Sequence, residues 1–141
     1  MKLAIVILNW NGKKLLEEFL PSIIRYSDSA DVYVIDNAST DDSVVFLTHA
    51  FPTIKQVVLT ENFGFAKGYN EGLKQIDADL YCLLNNDVKV TENWLKPLIQ
   101  AFEKTDVSIA QPLLLQHKER SHFDYAGAAG GFIDKLGFPY C

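Results

Sequence analysis

The fold is decided at residues 3–12, where the chain reads LAIVILNWNG. The first six of these residues form an unbroken run of β-branched residues, leucine and alanine, which is typical of a strand covered on both faces in a parallel sheet. Asn9 to Gly12 then predict a polar turn, and the apolar residues after it recur at helical spacing. This strand–turn–helix unit predicts an α/β fold with a mostly parallel sheet flanked by helices.

The same unit recurs along the chain. Further strands are predicted at 32–35, 56–60, 79–84 and 107–111, and helices at 15–24, from Asp41 onward, at 65–76 and at 94–102. Pro21 predicts a kink or a break in the first helix. Thr40 or Asp41 is the predicted cap of the second. After residue 111 the pattern fades, so we expect the α/β core to cover residues 1–111.

Composition excludes several classes of protein. The 141 residues suit one domain, and 48% hydrophobic with 22% charged residues is typical of a soluble globular protein. A net charge of −5 without a basic block argues against a nucleic-acid partner. Cys82 and Cys141 lie far apart, which favours a reducing compartment over a disulfide framework. No run approaches the roughly 20 apolar residues of a transmembrane helix.

Polar residues cluster where the predicted strands end. Four such loops follow strands: Asn9 to Gly12, Asp36 to Asp41, Glu61 to Gly64 and Asn85 to Asp87. Each loop alone is explained by ordinary turn chemistry. Ligands of parallel α/β sheets bind beyond the carboxyl ends of the strands, so the four loops together predict a binding cleft.

Asp87 is the candidate metal ligand. It follows an apolar strand at its carboxyl end, where a carboxylate can bind a hard cation that also holds a diphosphate. A divalent ion would stabilise the negative charge that develops on a departing nucleoside diphosphate. The alternative is an Asx turn between Asp87 and the residues that follow it.

Two other features leave alternatives open. Asp36 either accepts an N–H from a base or sugar, or caps the next helix. Gly64, Gly68 and Gly72 recur every four residues, and each glycine inside a helix costs about 1 kcal/mol. Either a ligand phosphate near Lys67 or a closely packed strand explains them. A dinucleotide fingerprint is absent, and the three histidines, predicted to lie at surface or loop positions, lack metal-ligand spacing.

Four segments appear together in the order found in family 2 glycosyltransferases: Val6–Gly12 (VILNWNG), Val34–Ser43 (VIDNASTDDS), Asn62–Asn70 (NFGFAKGYN) and Leu83–Asp87 (LLNND). The chain resembles this family from residue 3 to about residue 90. Within the family it looks closest to the rhamnosyltransferase-like branch, which residues 127–134 also resemble.

The resemblance implies a GT-A fold, a nucleotide-diphosphate sugar donor, Mg²⁺ or Mn²⁺, and inversion at the anomeric carbon. It assigns Asp36 to the nucleobase, Asn9 and Asn11 to the nucleoside pocket, and Asp87 to the metal. The other candidate residues for binding the nucleotide sugar are Asn37, Asn62, Gly64, Lys67, Asn70 and Asn85. The implied acceptor is a glycan or lipid-linked hydroxyl in bacterial cell-surface polysaccharide synthesis, in the cytoplasm or at the inner face of its membrane.

The chain departs from the family pattern at two points. Asn85 stands where many members have the first Asp of a D-x-D motif, which lowers the charge of the metal site. The catalytic base has no recognisable counterpart, and neither Asp124 nor Asp134 has a suitable context. We therefore expect residues 112–141 to begin an acceptor-side region that is truncated, with the base beyond residue 141 and the chain alone inactive.

Three alternative functions fit the same α/β architecture. A phosphoacceptor receiver domain needs an acidic pair after the first strand, where this chain has Asn9 to Asn11. A nucleotidyltransferase favours a Gly-rich basic loop there, and only Gly12, Lys13 and Lys14 hint at one. A nucleotide-binding module without transfer activity is the third.

Overall fold

The structure is a computed structural model that describes residues 1–104, 106–124, 132–133, 135–136 and 139–140. The chain divides into two compact units, Met1–Thr91 and Glu92–Cys141. The boundary predicted after residue 111 separates donor-binding from acceptor-side residues. This functional division stays a prediction.

A four-stranded parallel sheet forms the centre of the first unit. Its strands are β1 (Leu3–Asn9), β2 (Asp31–Asp36), β3 (Lys55–Val58) and β4 (Leu80–Asn85), in the order β3-β2-β1-β4. All three pairings are parallel, so the carboxyl ends of the strands meet at one edge of the sheet. The predicted α/β class and parallel sheet are confirmed, and each strand lies within two residues of its predicted position.

The first helix, α1 (Lys13–Arg25), runs through Pro21. The predicted break is therefore wrong. Leu16, Leu20 and Ile23 are almost completely buried on one side of this helix. Burying side chains of this size stabilises by about 1.5–3 kcal/mol each, which together exceeds the roughly 3 kcal/mol that an interior proline costs.

The next two helices are shorter than predicted. The second, α2 (Ser43–Ala50), begins two residues after Asp41, and its N-cap position is Asp42 rather than Thr40 or Asp41. The Asp41 carboxylate nevertheless accepts the first N–H of this helix, from Ser43. The third, α3 (Gly64–Leu73), ends before Ile76, which is nevertheless buried against the sheet. A fourth helix, α4 (Leu95–Ala101), contains Pro97 and belongs to the second unit.

Residues 107–111 form no strand, so the predicted fifth strand is wrong. A β-branched run becomes a strand only when a neighbouring segment pairs with it, and none of the described residues pairs with this run. The second unit instead contains two short antiparallel strands, β5 (Phe132–Ile133) and β6 (Pro139–Tyr140). The small-residue segment at 125–131, together with Asp134 and Cys141, lies outside the described residues.

The core of the first unit lies on both faces of β1, where Ala4, Ile5, Val6 and Ile7 are completely buried. One face packs against α3 through a cluster that includes Ile35, Val57 and Tyr69. None of the helices in the described residues combines the length and the apolar character needed to cross a membrane.

Candidate functional site

The register of the sheet places Asn9, Asp36 and Asn85 side by side at the carboxyl edge. Asn9 at the end of β1 is the Cα partner of Asp36 at the end of β2. Leu8, one residue earlier, is the partner of Asn85 at the end of β4. The predicted clustering of these polar residues is therefore present within the first unit.

Asn9 is completely buried, and both ends of its carboxamide are bonded. The Nδ2 group donates to Asp36 Oδ2 at 3.1 Å and to Ser39 Oγ at 3.3 Å. The Oδ1 atom accepts from Asn86 Nδ2 at 3.2 Å. Asn9 therefore links the ends of three segments.

The Asp36 carboxylate is also buried, with 1% of the residue exposed. Besides the bond from Asn9, its Oδ1 accepts the backbone N–H of Ser39 at 2.8 Å. Because α2 begins only at Ser43, Asp36 does not cap that helix, and the capping alternative is wrong. Its carboxylate instead closes the loop that follows β2.

Asn11 holds that loop against the turn after β1. Its φ angle is +52°, a left-handed conformation that asparagine tolerates better than most residues. Its Oδ1 accepts the N–H of Thr40 at 2.7 Å and the N–H of Asp41 at 3.2 Å. Beside it, the Trp10 residue is 56% exposed, so an aromatic side chain at this edge is open to solvent.

Asp41 connects the starts of two helices. One carboxylate oxygen accepts the N–H of Lys13 at 3.2 Å, and the other accepts the N–H of Ser43 at 3.0 Å. Burial raises the pKa of Asp41, but the hydrogen bonds from Ser43 and Lys13 outweigh that effect, so the pKa lies below its ordinary value. The carboxylate satisfies amides that have no partner within their own helices.

Asn37 fixes the loop before α3. Its Nδ2 donates to Asn62 Oδ1 at 2.9 Å and to the carbonyl oxygen of Gly64 at 3.0 Å, while its Oδ1 accepts the N–H of Phe63 at 3.0 Å. Asn37 is 2% exposed, whereas Asn62 and Gly64 are exposed. Asn37 therefore supports residues that face solvent.

The glycines at positions 64, 68 and 72 are explained by different features of the structure. Gly64 has a φ of +74° with open space around it, so backbone conformation requires it. At Gly72 a side chain would overlap Ile35, which confirms close packing of α3 on the sheet at that position. At Gly68 a Cβ would lie 3.1 Å from Asn37 Nδ2 and 3.2 Å from Leu8.

Lys67 and Asn70 lie on the exposed side of α3. The Lys67 ammonium lies 4.3 Å from the centre of the Phe63 ring, which is within cation–π distance. Lys67 lies in the first turn of α3, where a positive side chain and backbone N–H groups occur together.

Asp87 and Asn85 are exposed at the end of β4. Among the described residues the Asp87 carboxylate has no hydrogen-bond partner, so the alternative Asx turn does not form. The described part of the chain contains no group of three or more His, Cys, Asp or Glu residues that could hold a metal. His49, His117 and His122 are exposed, as predicted.

Several residues of this edge were not named individually as site candidates, among them Gly12, Ser39, Tyr69 and Asn86. The Tyr69 hydroxyl donates to the carbonyl oxygen of Leu84 at 3.1 Å and accepts from the N–H of Leu8 at 3.4 Å, and burial raises its pKa. Its helical spacing indicated only an apolar face. The position of Asn86 directly before Asp87 was the available signal for that residue.

Asp124, in the second unit, is exposed, and its backbone N–H bonds the carbonyl oxygen of Leu114 at 3.1 Å. This environment supplies no feature of a catalytic base. Asp134 is outside the described residues.

Solved structures share this fold. The mannosyltransferase PcManGT from Pyrobaculum calidifontis, in complex with GDP-Man and Mn²⁺, is 22% identical, with a TM-score of 0.67 over 79% of this chain and 36% of that one. TarS 1–349 from S. aureus, in complex with UDP-GlcNAc, is 19% identical, with a TM-score of 0.64 over 82% of this chain and 39% of that one. The chain thus spans less than half the length of either.

The comparisons agree with the architecture described above. The parallel sheet with flanking helices is that of the GT-A glycosyltransferases. No curated protein sequence matches the chain. The family model for glycosyl transferase family 2 matches residues 4–130, which is most of the sequence, and the chain therefore belongs to glycosyl transferase family 2.

Proposed function

We propose that this chain is the donor-binding part of a glycosyltransferase that moves a sugar from a nucleotide-diphosphate donor to a hydroxyl group. The observation that carries the proposal is the buried link between Asn9 and Asp36 at the carboxyl edge of the sheet. Burial of two polar side chains is tolerated because they bond each other, and this bond joins the end of β1 to the loop that follows β2. Solved structures with this fold hold GDP-Man with Mn²⁺ and UDP-GlcNAc, which supports a donor of that class.

The nucleoside end of the site lies beside β1 and β2. Asp36 orders the loop that follows β2, and Asn11 joins this loop to the turn after β1. The exposed Trp10 ring offers a surface on which a base can stack. In the structure the Asp36 carboxylate is buried. It therefore contacts the base only when the loop after β2 moves and exposes it.

The metal end lies at Asp87. Mg²⁺ and Mn²⁺ prefer oxygen ligands, and Mg²⁺ is usually held by one or two carboxylates together with substrate phosphates. A single exposed carboxylate without a protein partner fits that pattern, with Asn85 supplying a neutral oxygen. Asp87 would hold the ion and Lys67 would attract the diphosphate. The ion, when bound, stabilises the charge on the departing diphosphate.

The loop before α3 completes the donor side. Asn37 orders Asn62 and Gly64, and their exposed backbone leads into the first turn of the helix. Lys67 and Asn70 then present a cation and an amide on the same exposed helix. We assign these residues to the sugar and phosphates of the donor.

Transfer proceeds with inversion to a glycan or lipid-linked acceptor, as in the rhamnosyltransferase-like branch that the motifs resemble. The proposed setting is bacterial cell-surface polysaccharide synthesis at the inner face of the membrane. Inverting attack needs a base within hydrogen-bond reach of the acceptor hydroxyl. We assign none of the described carboxylates to that role, so we expect the chain alone to bind donor without transferring its sugar.

Nucleotide competition tests this function against a nucleotidyltransferase. UDP, TDP, GDP and their triphosphates are titrated with Mn²⁺, and pyrophosphate release is followed with each triphosphate and a sugar phosphate. We expect a nucleoside diphosphate and its sugar conjugate to bind with no pyrophosphate release. Pyrophosphate release would favour the nucleotidyltransferase, and sugar transfer by the chain would overturn the expectation that the chain alone is inactive.

A further inference from the structure

Three side chains from three segments form one line of hydrogen bonds across the sheet edge. Asn86, in the turn after β4, donates from Nδ2 to Asn9 Oδ1 at 3.2 Å. Asn9 in turn donates from Nδ2 to Asp36 Oδ2 at 3.1 Å. We refer to Asn86, Asn9 and Asp36 as the amide relay. It joins the segment that carries Asp87 to the segment that orders the loop after β2.

The amide relay has a fixed direction. An ionised carboxylate only accepts hydrogen bonds, so Asn9 must turn its NH₂ group toward Asp36. Its carbonyl oxygen then faces position 86, which must supply a donor. Asn9 is completely buried, so no water replaces a partner that cannot donate. An acceptor-only side chain at position 86 would therefore place two acceptors in contact.

Gly12 is the second observation that identifies this contact. Its φ of −107° is open to any residue, so backbone conformation does not require glycine. A Cβ there would overlap Asn9 Oδ1 and lie 2.5 Å from Asn86 Nδ2. Glycine at position 12 thus leaves the space that the bond between Asn9 and Asn86 occupies.

We propose that Asn86 is a positioning residue for the metal site. The Asp87 carboxylate has no partner among the described residues, so its own side chain does not fix the turn that it shares with Asn86. The bond from Asn86 to the buried Asn9 fixes that turn instead. This inference rests on the proposed function, in which Asp87 holds the ion, and it makes the arrangement of the metal end depend on Asn9.

A binding experiment separates positioning from general support of the fold. UDP, or whichever diphosphate binds best, is titrated calorimetrically into the chain with and without Mn²⁺, and the matching nucleoside is titrated without metal. We expect Asn86→Ala to reduce the gain in diphosphate affinity that Mn²⁺ gives about fivefold to tenfold, the equivalent of one hydrogen bond. Nucleoside affinity should change less than about twofold, because Asn9 keeps its bonds to Asp36 and Ser39.

Two variants accompany that experiment. Gln75→Ala removes an exposed amide away from the site and should leave the enhancement unchanged. Gly12→Ala fills the space of the bond and should reduce the enhancement as Asn86→Ala does. Full enhancement in Asn86→Ala would overturn the inference, and so would equal losses of enhancement and nucleoside affinity.

The direction of the relay is tested without any ligand. Urea unfolding measures the cost of Asn86→Asp in the native chain and in an Asp36→Asn chain, where Asn9 can reverse its amide. We expect a smaller cost in the Asp36→Asn chain. Asn85→Asp adds the same charge one residue away, so it measures the repulsion by Asp36 that is independent of the relay. The difference between the two backgrounds should be larger for Asn86→Asp than for Asn85→Asp. If Asp36→Asn does not fold, Asn86→Asp should still destabilise the native chain more than Asn86→Ala.

Equal costs of Asn86→Asp in the two backgrounds would overturn the relay. The two kinds of failure are distinguishable. If the native chain shows no enhancement by Mn²⁺, the proposed metal function fails, whatever the unfolding cycle shows. If the native chain shows the enhancement and Asn86→Ala retains it, only the positioning role fails.

Discussion

At the scale of single residues, the site depends on asparagine and aspartate side chains whose roles depend on the residues to which they are hydrogen-bonded. Asn9 and Asn37 read in the sequence as loop residues that line a pocket, but both are buried, and their amides hold neighbouring loops. Their partners Asp36 and Asn62 lie more than twenty residues away along the chain. Residue type and position therefore identified these residues as site candidates, whereas the bonds that they form depend on strand register.

We expect Asp36→Ala to lower the free energy of unfolding by about 1–3 kcal/mol, because the buried Asn9 amide and the Ser39 N–H lose their acceptor. The loop after β2 should lose order with it, so nucleoside affinity should also fall by about 1–3 kcal/mol. Urea unfolding and calorimetric titration measure the two effects. Asp28→Ala removes an exposed carboxylate away from the site as a control, and equal effects of the two substitutions would contradict the role of Asp36.

At the scale of elements, the unbroken apolar strand at residues 3–8 and the alternating pattern behind it predicted the parallel sheet. The strand order β3-β2-β1-β4 was not predictable, since pairing depends on contacts between distant segments. The helix α2 begins later than predicted, because Asp41 lies outside it and accepts the Ser43 N–H. The helix α3 ends earlier than predicted, and Ile76 is buried although it lies beyond the helix. The predicted strand at 107–111 does not form because the segment lacks a pairing partner among the described residues.

The contact of α3 with the sheet yields a prediction at the same scale. Gly72→Ala should destabilise the chain by about 1–3 kcal/mol, because the added methyl group overlaps Ile35. In an Ile35→Ala background the same substitution should cost much less, since the space is vacated and alanine favours helix by about 1 kcal/mol over glycine. Unfolding free energies of the four chains form a double-mutant cycle. Equal costs in both backgrounds would show that the helix does not pack closely there.

At the scale of the whole molecule, the family match from residue 4 to residue 130 and the GT-A fold agree with the resemblance read from four short segments. Cys82 provides a probe of overall stability. Burial raises the pKa of its thiol to about 11. The folded chain therefore favours the protonated thiol more strongly than the unfolded chain does.

The sign of the resulting pH dependence follows from that shift. The contribution of the thiol is fully present below the ordinary thiol pKa of 9.0 and is lost as the pH rises toward about 11. We expect unfolding free energy to fall between pH 9 and pH 11 by about 2 kcal/mol more in the native chain than in Cys82→Val. Tyr69 titrates in both chains, and because burial is the main cause of its raised pKa and Cys82 a smaller one, most of the difference reports Cys82. Identical pH profiles would contradict the burial of the thiol.

The central claim is that the sheet edge binds a nucleoside diphosphate through a shared divalent ion at Asp87. Its most direct test is calorimetric titration of UDP, TDP and GDP, with and without Mn²⁺, into the native chain, Asp87→Ala and Asp28→Ala, the last removing an exposed carboxylate elsewhere. At least one diphosphate should bind more tightly with Mn²⁺ in the native chain and in Asp28→Ala, and the enhancement should disappear in Asp87→Ala. Absence of any enhancement in the native chain, or its survival in Asp87→Ala, would contradict the metal site.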